Sequence, residues 1–556
     1  MGNFLLTAAP METAARAGEL FRRGLAHAKQ IKSRSPHQII ESGLASVASF
    51  ARYNGSGGTI AYDEATGNWL VACGSWFHTA GFATGEEMKL LDYAVQAGAE
   101  RVARELEGFF VVAFWDAANR EVVVITDLMG SRHCFMRDFG DCLAISTSSL
   151  LLASLGDAPL DPIGCEEFLR LGVIYEDRTL FRNVRKLAPA RIFRFAKGRL
   201  TGSHCYWRLG DLDPYACYPL DGDRAVEQLS ERLVAAAKRI GKLYPRAVCD
   251  LTAGFDSRAV VSAMMSAGVK IETTVAGPPD SPDVVISKRL SEITRAPHNH
   301  IEPDSRVTLD ALKDALRVTD GEYDPVEYAH IQAIHRHLAA RSMVSSAAAS
   351  VERCEVSLNG SYGEIARGYW WELLRGKTGR HEQVDARLLA EKRYAAGVGP
   401  SPLFPAGSCL DMVAHLAAII ERTNRELSGW PNTAQMDNAY LMLRMQRWQG
   451  RIASSTDQIW PCLSIFLFRS VMETTLQATP RVRKNSRLAR RMIRALQPEL
   501  AAHRFDSAVL AMPLTLTAWP KFLPALAHLA GKAGRKLFRR TASIELATAR
   551  ATESAR

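Results

Sequence analysis

One short stretch of this chain gathers groups that could hold an anion. Thr252 and Ser257 offer hydroxyls, Arg258 a guanidinium, and Gly254 a backbone that a ligand could approach closely. Asp256 places a carboxylate among them, and Ala253 and Phe255 complete the run. Ala247 to Leu251 precede it as an apolar run of strand length, and Val260, Val261, Met264 and Met265 follow at helical spacing. The spacing therefore predicts strand, tight turn, helix. Backbone N–H groups at a helix start point into such a turn, and the helix dipole favours negative charge there. A carboxylate beside that anion makes sense with a divalent cation between them, as in Mg²⁺ bound by one carboxylate plus phosphates. The run lacks the lysine and the glycine spacing of the G-x-x-x-x-G-K-[ST] phosphate loop. The competing reading is an ordinary strand–helix turn that binds nothing.

The elements around the turn repeat its pattern. Ile271 to Gly277 reads as a second strand, Ser281-Pro282-Asp283 opens a helix through Leu290, and Asn299 to Ile301 starts a third strand. Strands alternating with helices imply a parallel sheet with its ligand at the carboxyl ends of the strands. Ser357 to Tyr369 is a glycine-rich segment in which Gly360 and Gly363 flank a turn and Glu364 supplies an acid. As a bland alternative, Glu364 is a helix-start carboxylate facing the dipole. Residues 376–410 read as a loop-rich insertion, and 410–500 as mostly helical. Upstream, Pro214 to Gly222 reads as a linker. Before it, residues 59–62 and 69–73 pair about Glu64–Gly67, and residues 86–106 form a helix. Two β-prone runs flank Asp116–Asn119, residues 143–148 form a strand, and the first 58 residues show no clear helical period.

Composition sets the outer bounds. The 556 residues, 47% hydrophobic and 23% charged, suit a globular protein of at least two domains. No run reaches the roughly 20 apolar residues of a membrane span, and the first residues lack a signal-peptide pattern, so a cytoplasmic protein is expected. Ten cysteines stand singly, which disfavours a zinc knuckle or a dithiol redox pair. The net charge of +10 is uneven, and Arg481 to Arg494 holds seven basic residues and no acid. That stretch reads as a solvated helix face or as a surface for an anionic partner.

Thr252 to Ser257 resembles the Ser-Gly-Gly-x-Asp-Ser pyrophosphate loop of the asparagine synthetase family and its ATP pyrophosphatase relatives. Thr252 keeps the hydroxyl. Ala253 stands where the family has glycine and carries strain if the position needs positive φ. Ser357 to Tyr369 is similar to that family's glycine-rich acidic segment. Arg451 to Ser464 resembles its R-x-x-M-x-x-S-x-E-x-R-x-P-F-L-D stretch, with Ser464 in place of the final aspartate and Gln458 in the Glu-x-Arg region. The family lysine beyond that stretch is absent, and Arg504 is the nearest cation. Gly108, Phe109, Trp115, Asp116, Asp127, Gly130, Ser146 and Leu150, then Thr179 to Pro189 and Tyr206-Trp207, are similar to the family's glutaminase-type amino-terminal domain. Active members use a cysteine at position 2. Here it is Gly2, which provides no thiolate, so a glutaminase-like scaffold without glutaminase activity is expected.

The resemblance implies an α/β chain with an Ntn-type αββα sandwich over residues 1–213. A PP-loop parallel-sheet domain of the adenine-nucleotide α-hydrolase type, with a helical carboxyl-terminal part, would span 223–520, and a basic helical tail 521–556. It implies ATP and Mg²⁺ as cofactors. Thr252, Ala253, Gly254, Phe255, Asp256, Ser257 and Arg258 would meet the pyrophosphate, and Val275 and Gly360 the adenosine. Asp256 and Glu364 would meet the metal, with Asp256, Ser257 and Glu364 catalytic. The implied reaction adenylates a small-molecule or peptide carboxylate and passes the acyl group to ammonia or another amine. The alternatives are an intramolecular cyclase, as in β-lactam synthetases and lasso-peptide cyclases, and a non-catalytic nucleotide-binding scaffold. No nucleic acid or membrane partner is implied, and a homodimer is left open.

Overall fold

The computed structural model describes residues 3–212, 219–304, 306–344, 355–399, 403–404, 409–505 and 523. The amino-terminal half contains two six-stranded sheets. Asn3–Ala8 lies inside the first, between Ala45–Phe50 and Leu143–Ser146. Trp69–His78, Leu106–Asp116 and Glu121–Thr126 form the middle of the second, all antiparallel. Their facing sides close on one another: Phe4, Leu6 and Val47 meet Trp69, Val71, Val111 and Val122. Helix Ala14–Lys32 covers the outside of the first sheet through Leu20 and Phe21. Helices Glu87–Ala97 and Ala99–Glu105 cover the second through Leu90, Leu91 and Val102. The layers therefore run helix, sheet, sheet, helix.

Two departures from the sequence expectation have local causes. Ala14–Lys32 buries mainly small residues, Ala17, Gly24 and Ala28 beside Leu20 and Phe21, so its inner face gives little apolar period. The helix expected over 86–106 is two helices, because Gly98 takes φ +81° and ends the first. Both strands of the Asp116–Asn119 hairpin are present.

The carboxyl-terminal half is built on a five-stranded parallel sheet. Its spatial order is His298–Ile301, Lys270–Ala276, Arg246–Asp250, Val356–Asn359, Cys462–Ser464. From Arg246–Asp250 the chain adds two strands on one side, then returns to add two on the other. Order thus reverses between Arg246–Asp250 and Val356–Asn359, and the connections after these two strands leave in opposite directions. That divergence opens a crevice at their carboxyl ends. Helices Gly222–Leu243, Phe255–Ser266 and Arg487–Leu496 pack together against the sheet.

The expected insertion at 376–410 holds a short helix, Ala386–Leu389, that runs into a π-helix, Ala390–Tyr394. Residues 213–218, which include the first five of the expected linker Pro214 to Gly222, and the tail beyond 505 except residue 523 lie outside the described residues. So does Gly2. The basic stretch is not uniformly solvated. Arg483 is fully buried, donating to the Ile365 carbonyl through Nε at 2.8 Å and pairing with Asp437 at 2.7 Å. Among the described residues no helix is long and apolar enough to cross a membrane, and no disulfide joins the described cysteines.

Candidate active site

The turn after Arg246–Asp250 opens into the crevice where strand order reverses. Gly254 is the N-cap of helix Phe255–Ser266, with extended φ −76° and ψ 172°. Ala253 is buried and lies outside the left-handed region, so its Cβ is unstrained and glycine is not required there. The turn is braced from within. Thr252 Oγ1 and Ser257 Oγ share a 2.8 Å hydrogen bond, and the Thr252 and Gly254 N–H groups donate to Ser257 Oγ and Thr252 Oγ1 at 3.1 and 3.2 Å. The Ala253 N–H donates to Asp283 Oδ1 at 2.8 Å. Ser281 caps the helix that carries Asp283 by accepting from the Val284 N–H. The Ser-Pro-Asp segment, legible in sequence as a helix start, thus also braces the turn. With the N–H groups of 252–254 engaged, the donors left for an anion are the first N–H groups of the helix itself, which have no intrahelical partner by geometry.

Arg258, expected at the anion, faces the other way. Its guanidinium donates to the carbonyls of Leu500, His503 and Arg504 at 3.0, 2.9 and 3.0 Å and lies over the Phe505 ring. It is fully buried. It fastens the back of the turn to the last helical segment, because residue 258 falls on the packed side of the helix, away from the crevice. Arg504 contributes its carbonyl to that clamp.

Asp256 faces the crevice. Arg367 Nη2 pairs with Asp256 Oδ2 at 2.9 Å, with both side chains about one-fifth exposed or less. The glycine-rich segment presses directly on it. A Cβ at Gly360 would stand 2.6 Å from the Asp256 carbonyl carbon and the Ser257 N, and one at Gly363 would stand 2.8 Å from Asp256 Cβ. Glycine at both positions lets the two segments touch. Between them Tyr362 takes φ +70°, and its hydroxyl bonds to Ser131 of the amino-terminal half.

Glu364 follows at the start of a 3₁₀ turn, Gly363–Arg367. Burial raises its pKa above the ordinary carboxylate value, opposed by Arg367 and by a hydrogen bond from Tyr440. Its Oε2 is sealed from solvent without a donor. Val275 is buried in the strand beside Arg246–Asp250, near its carboxyl end. Asp250, the last residue of that strand, was missed by the sequence reading: burial pushes its carboxyl up to about 7. A carboxylate two residues before an anion turn was the available signal. Ser464 donates to the Ser361 carbonyl at 2.6 Å and accepts from the Phe466 N–H, so it steadies the glycine-rich segment. Gln458 reaches back to the amino-terminal half, where Asn3 Nδ2 donates to its Oε1 at 2.9 Å.

The residues suit a magnesium ion that arrives with phosphates rather than one held by protein alone. Asp256 and Glu364 are hard oxygen ligands, and Glu364 Oε2 has no donor to give up. Among the described residues no cluster of three or more His, Cys, Asp or Glu could hold a metal by itself.

The corresponding face of the amino-terminal half is closed by ion pairing. Arg52 Nη2 and Nε bind Asp457 Oδ1 at 2.9 and 3.3 Å, and Nη2 also donates to the Gly74 carbonyl. The nearby thiols of Cys73 and Cys134 are buried and have raised pKa values, the opposite of an activated nucleophile.

Comparison with known proteins bears on this half. Residues 81–207 match the family of the glutamine amidotransferase domain. A search of curated proteins gave no match. Among solved structures, the glutamine phosphoribosylpyrophosphate amidotransferase of B. subtilis, complexed with ADP and GMP, is 10% identical at a TM-score of 0.26. The alignment covers 54% of this chain and 65% of that one, so this chain spans less than two thirds of that protein's length. A structure of the allosteric regulatory enzyme of purine biosynthesis is 10% identical at a TM-score of 0.25, covering 67% of this chain and 77% of that one. The amidotransferase-like match covers helices Glu87–Ala97 and Ala99–Glu105 and four of the six strands of the second sheet, leaves out Ile60–Tyr62 and Trp69–His78, and stops before the parallel sheet.

Proposed function

We propose that the carboxyl-terminal half catalyses ATP-dependent amide-bond formation through an acyl-adenylate, releasing AMP and pyrophosphate, in the manner of asparagine synthetases. One observation carries the reading: Asp256 and Glu364, more than one hundred positions apart in sequence, converge where strand order reverses, on either side of Arg367. A crevice at that place is the usual ligand position in parallel α/β sheets. ATP would lie with its pyrophosphate over the helix start at Phe255–Ser257 and its adenosine toward Val275 and Gly360. Mg²⁺ would neutralise charge on the phosphates as the bond breaks. Arg367, which pairs with Asp256, would be the cation available to the departing pyrophosphate, in the place of the absent lysine. Donors fixed before reaction stabilise charge that develops on a leaving group. Glu364, with its raised pKa and its hydrogen bond from Tyr440, is suited to take a proton from the attacking amine.

The amidotransferase-like half would act as a scaffold and deliver no ammonia from glutamine, because Gly2 supplies no thiolate. The amine would be free ammonia or another amine. An intramolecular cyclisation is the second reading, favoured by the same missing nucleophile and by Ser464 in place of the acceptor-side aspartate. ATP–pyrophosphate exchange across a panel of carboxylic acids tests the proposal. Exchange with at least one acid supports it, and none with any acid, together with no nucleotide binding, overturns it. Glutamate release from glutamine above a buffer blank would overturn the scaffold role.

A further inference from the structure

The two halves meet along a buried charged seam in which the acids are fully engaged and three cations are not. Asp320 binds Lys32, the Ser148 hydroxyl at 2.7 Å, the Ser149 N–H at 3.1 Å and Arg451 Nη1 at 3.5 Å. Glu322 accepts from the Ser149 hydroxyl at 2.9 Å and faces the same Arg451 nitrogen at 3.3 Å. Lys186 enters the seam from the amino-terminal half. It is 6% exposed; no carboxylate lies within ion-pair distance of its ammonium, Glu322 and Asp320 act on it from further off, and the Phe135 ring lies 5.8 Å away. Arg447 enters from the other half, with Nε and Nη1 sealed and without acceptors. Arg451 likewise leaves Nε and Nη2 unbonded while only 2% exposed. Burial above all, then the neighbouring Arg447 and Arg451, bring the lysine's pKa down to about 7, against the opposing pull of Glu322 and Asp320.

The acids beyond Arg447 stabilise its charge only from a distance. Glu167 is held by the Tyr175 N–H and His415 at 2.8 and 2.7 Å. Glu176 is held by Arg422 and Arg178, and Asp177 by Arg185. None comes within 4 Å of Arg447. Water could satisfy the idle N–H groups but not the charge, and an uncompensated buried cation is costly. Arg447 stands on a π-helix, Tyr440–Gln449, a geometry that recurs at functional sites. As a whole it is only partly buried, although its Nε and Nη1 are sealed.

We infer that Lys186, Arg447 and Arg451 form a binding site for a small oxyanion, phosphate or carboxylate, between the two halves. The guanidiniums present N–H groups to oxygen atoms, the ammonium adds a point charge, and the anion restores neutrality to the seam. The site is separate from the crevice at Asp256, and it does not rest on the amide-forming reading.

The test is calorimetric titration of the full chain at pH 7 with potassium phosphate and, separately, potassium acetate at fixed ionic strength. One saturable site is expected for at least one of them, and the tighter anion identifies a phosphoryl or a carboxyl ligand. Lys186→Met and Arg447→Met should each weaken binding at least tenfold. Arg199→Met, on an exposed strand of the amino-terminal half, should leave it unchanged. Anion captured at the Asp256 crevice would instead bind Lys186→Met as it binds the parent chain. A readout without substitution follows carbamoylation of Lys186 by cyanate, which the bound anion should slow several-fold. No saturable heat with either anion, equal affinity in the variants, or labelling indifferent to both anions would overturn the inference.

Discussion

The closed face of the amino-terminal half and the crevice at the parallel sheet are both rich in charge, yet they treat it in opposite ways. At the first, Arg52 is 3% exposed and clasps Asp457 through two nitrogens, with Gly74 as a further acceptor. At the second, Asp256 pairs with Arg367 in a half-open setting, and Glu364 keeps an oxygen without a donor. An arginine clasped by a buried carboxylate fixes structure. Charges with exchangeable partners leave room for a ligand. The difference separates a joint from a site without appeal to resemblance.

The comparison breaks first at the joint. Asp457→Ala should cost about 3–5 kcal/mol of stability by leaving Arg52 and Arg132 buried and uncompensated, while Arg52→Met with Asp457→Leu should recover only the part due to Arg52. Urea unfolding checks this, and an unchanged midpoint in the single variant would remove the distinction. Next is the crevice. Asp256→Asn should reduce AMP formation at least about a hundredfold, equivalent to roughly 2.7 kcal/mol, with melting unchanged or slightly raised. Full activity at an unaltered magnesium dependence would make the turn an ordinary strand–helix connection.

Asp250 gives a smaller effect with a definite sign. Burial raises its pKa from 3.8 to about 7, so the folded chain keeps a proton that the unfolded chain has released. Its contribution to stability is full at low pH and is lost as pH rises through that interval, by at most about 1.4 kcal/mol per pH unit. Asp250→Asn should flatten that part of the melting profile. Smallest is Ser257→Ala, which removes one neutral hydroxyl bonded to Thr252. It should cost about 1 kcal/mol in stability and less than about tenfold in turnover.

The sequence was most legible where local pattern and function coincide. The strand, turn and helix around Thr252–Ser257 follow from apolar spacing, and the parallel sheet from the alternation after it. Orientation within the turn was not legible. Arg258 and Asp256 are two positions apart on one helix, and which of them faces the crevice depends on the carbonyls at 500–504, nearly 250 residues away. The first sheet was harder still: Asn3–Ala8 and Ala45–Phe50 are buried on both faces, so neither shows the alternation that marks a half-exposed strand. The seam at Lys186 was invisible because its members come from distant segments and each alone reads as a surface cation.

Tyr362 ties these regions together. It sits one residue before Gly363 in a left-handed conformation that a bulky side chain seldom adopts, and its hydroxyl reaches across to Ser131. A contact made by the other half therefore sets the path of the chain into Glu364. The amino-terminal half thus shapes its neighbour: the carboxyl-terminal half expressed alone would keep its sheet and its turn but lose the shape of the segment that brings Glu364 to them.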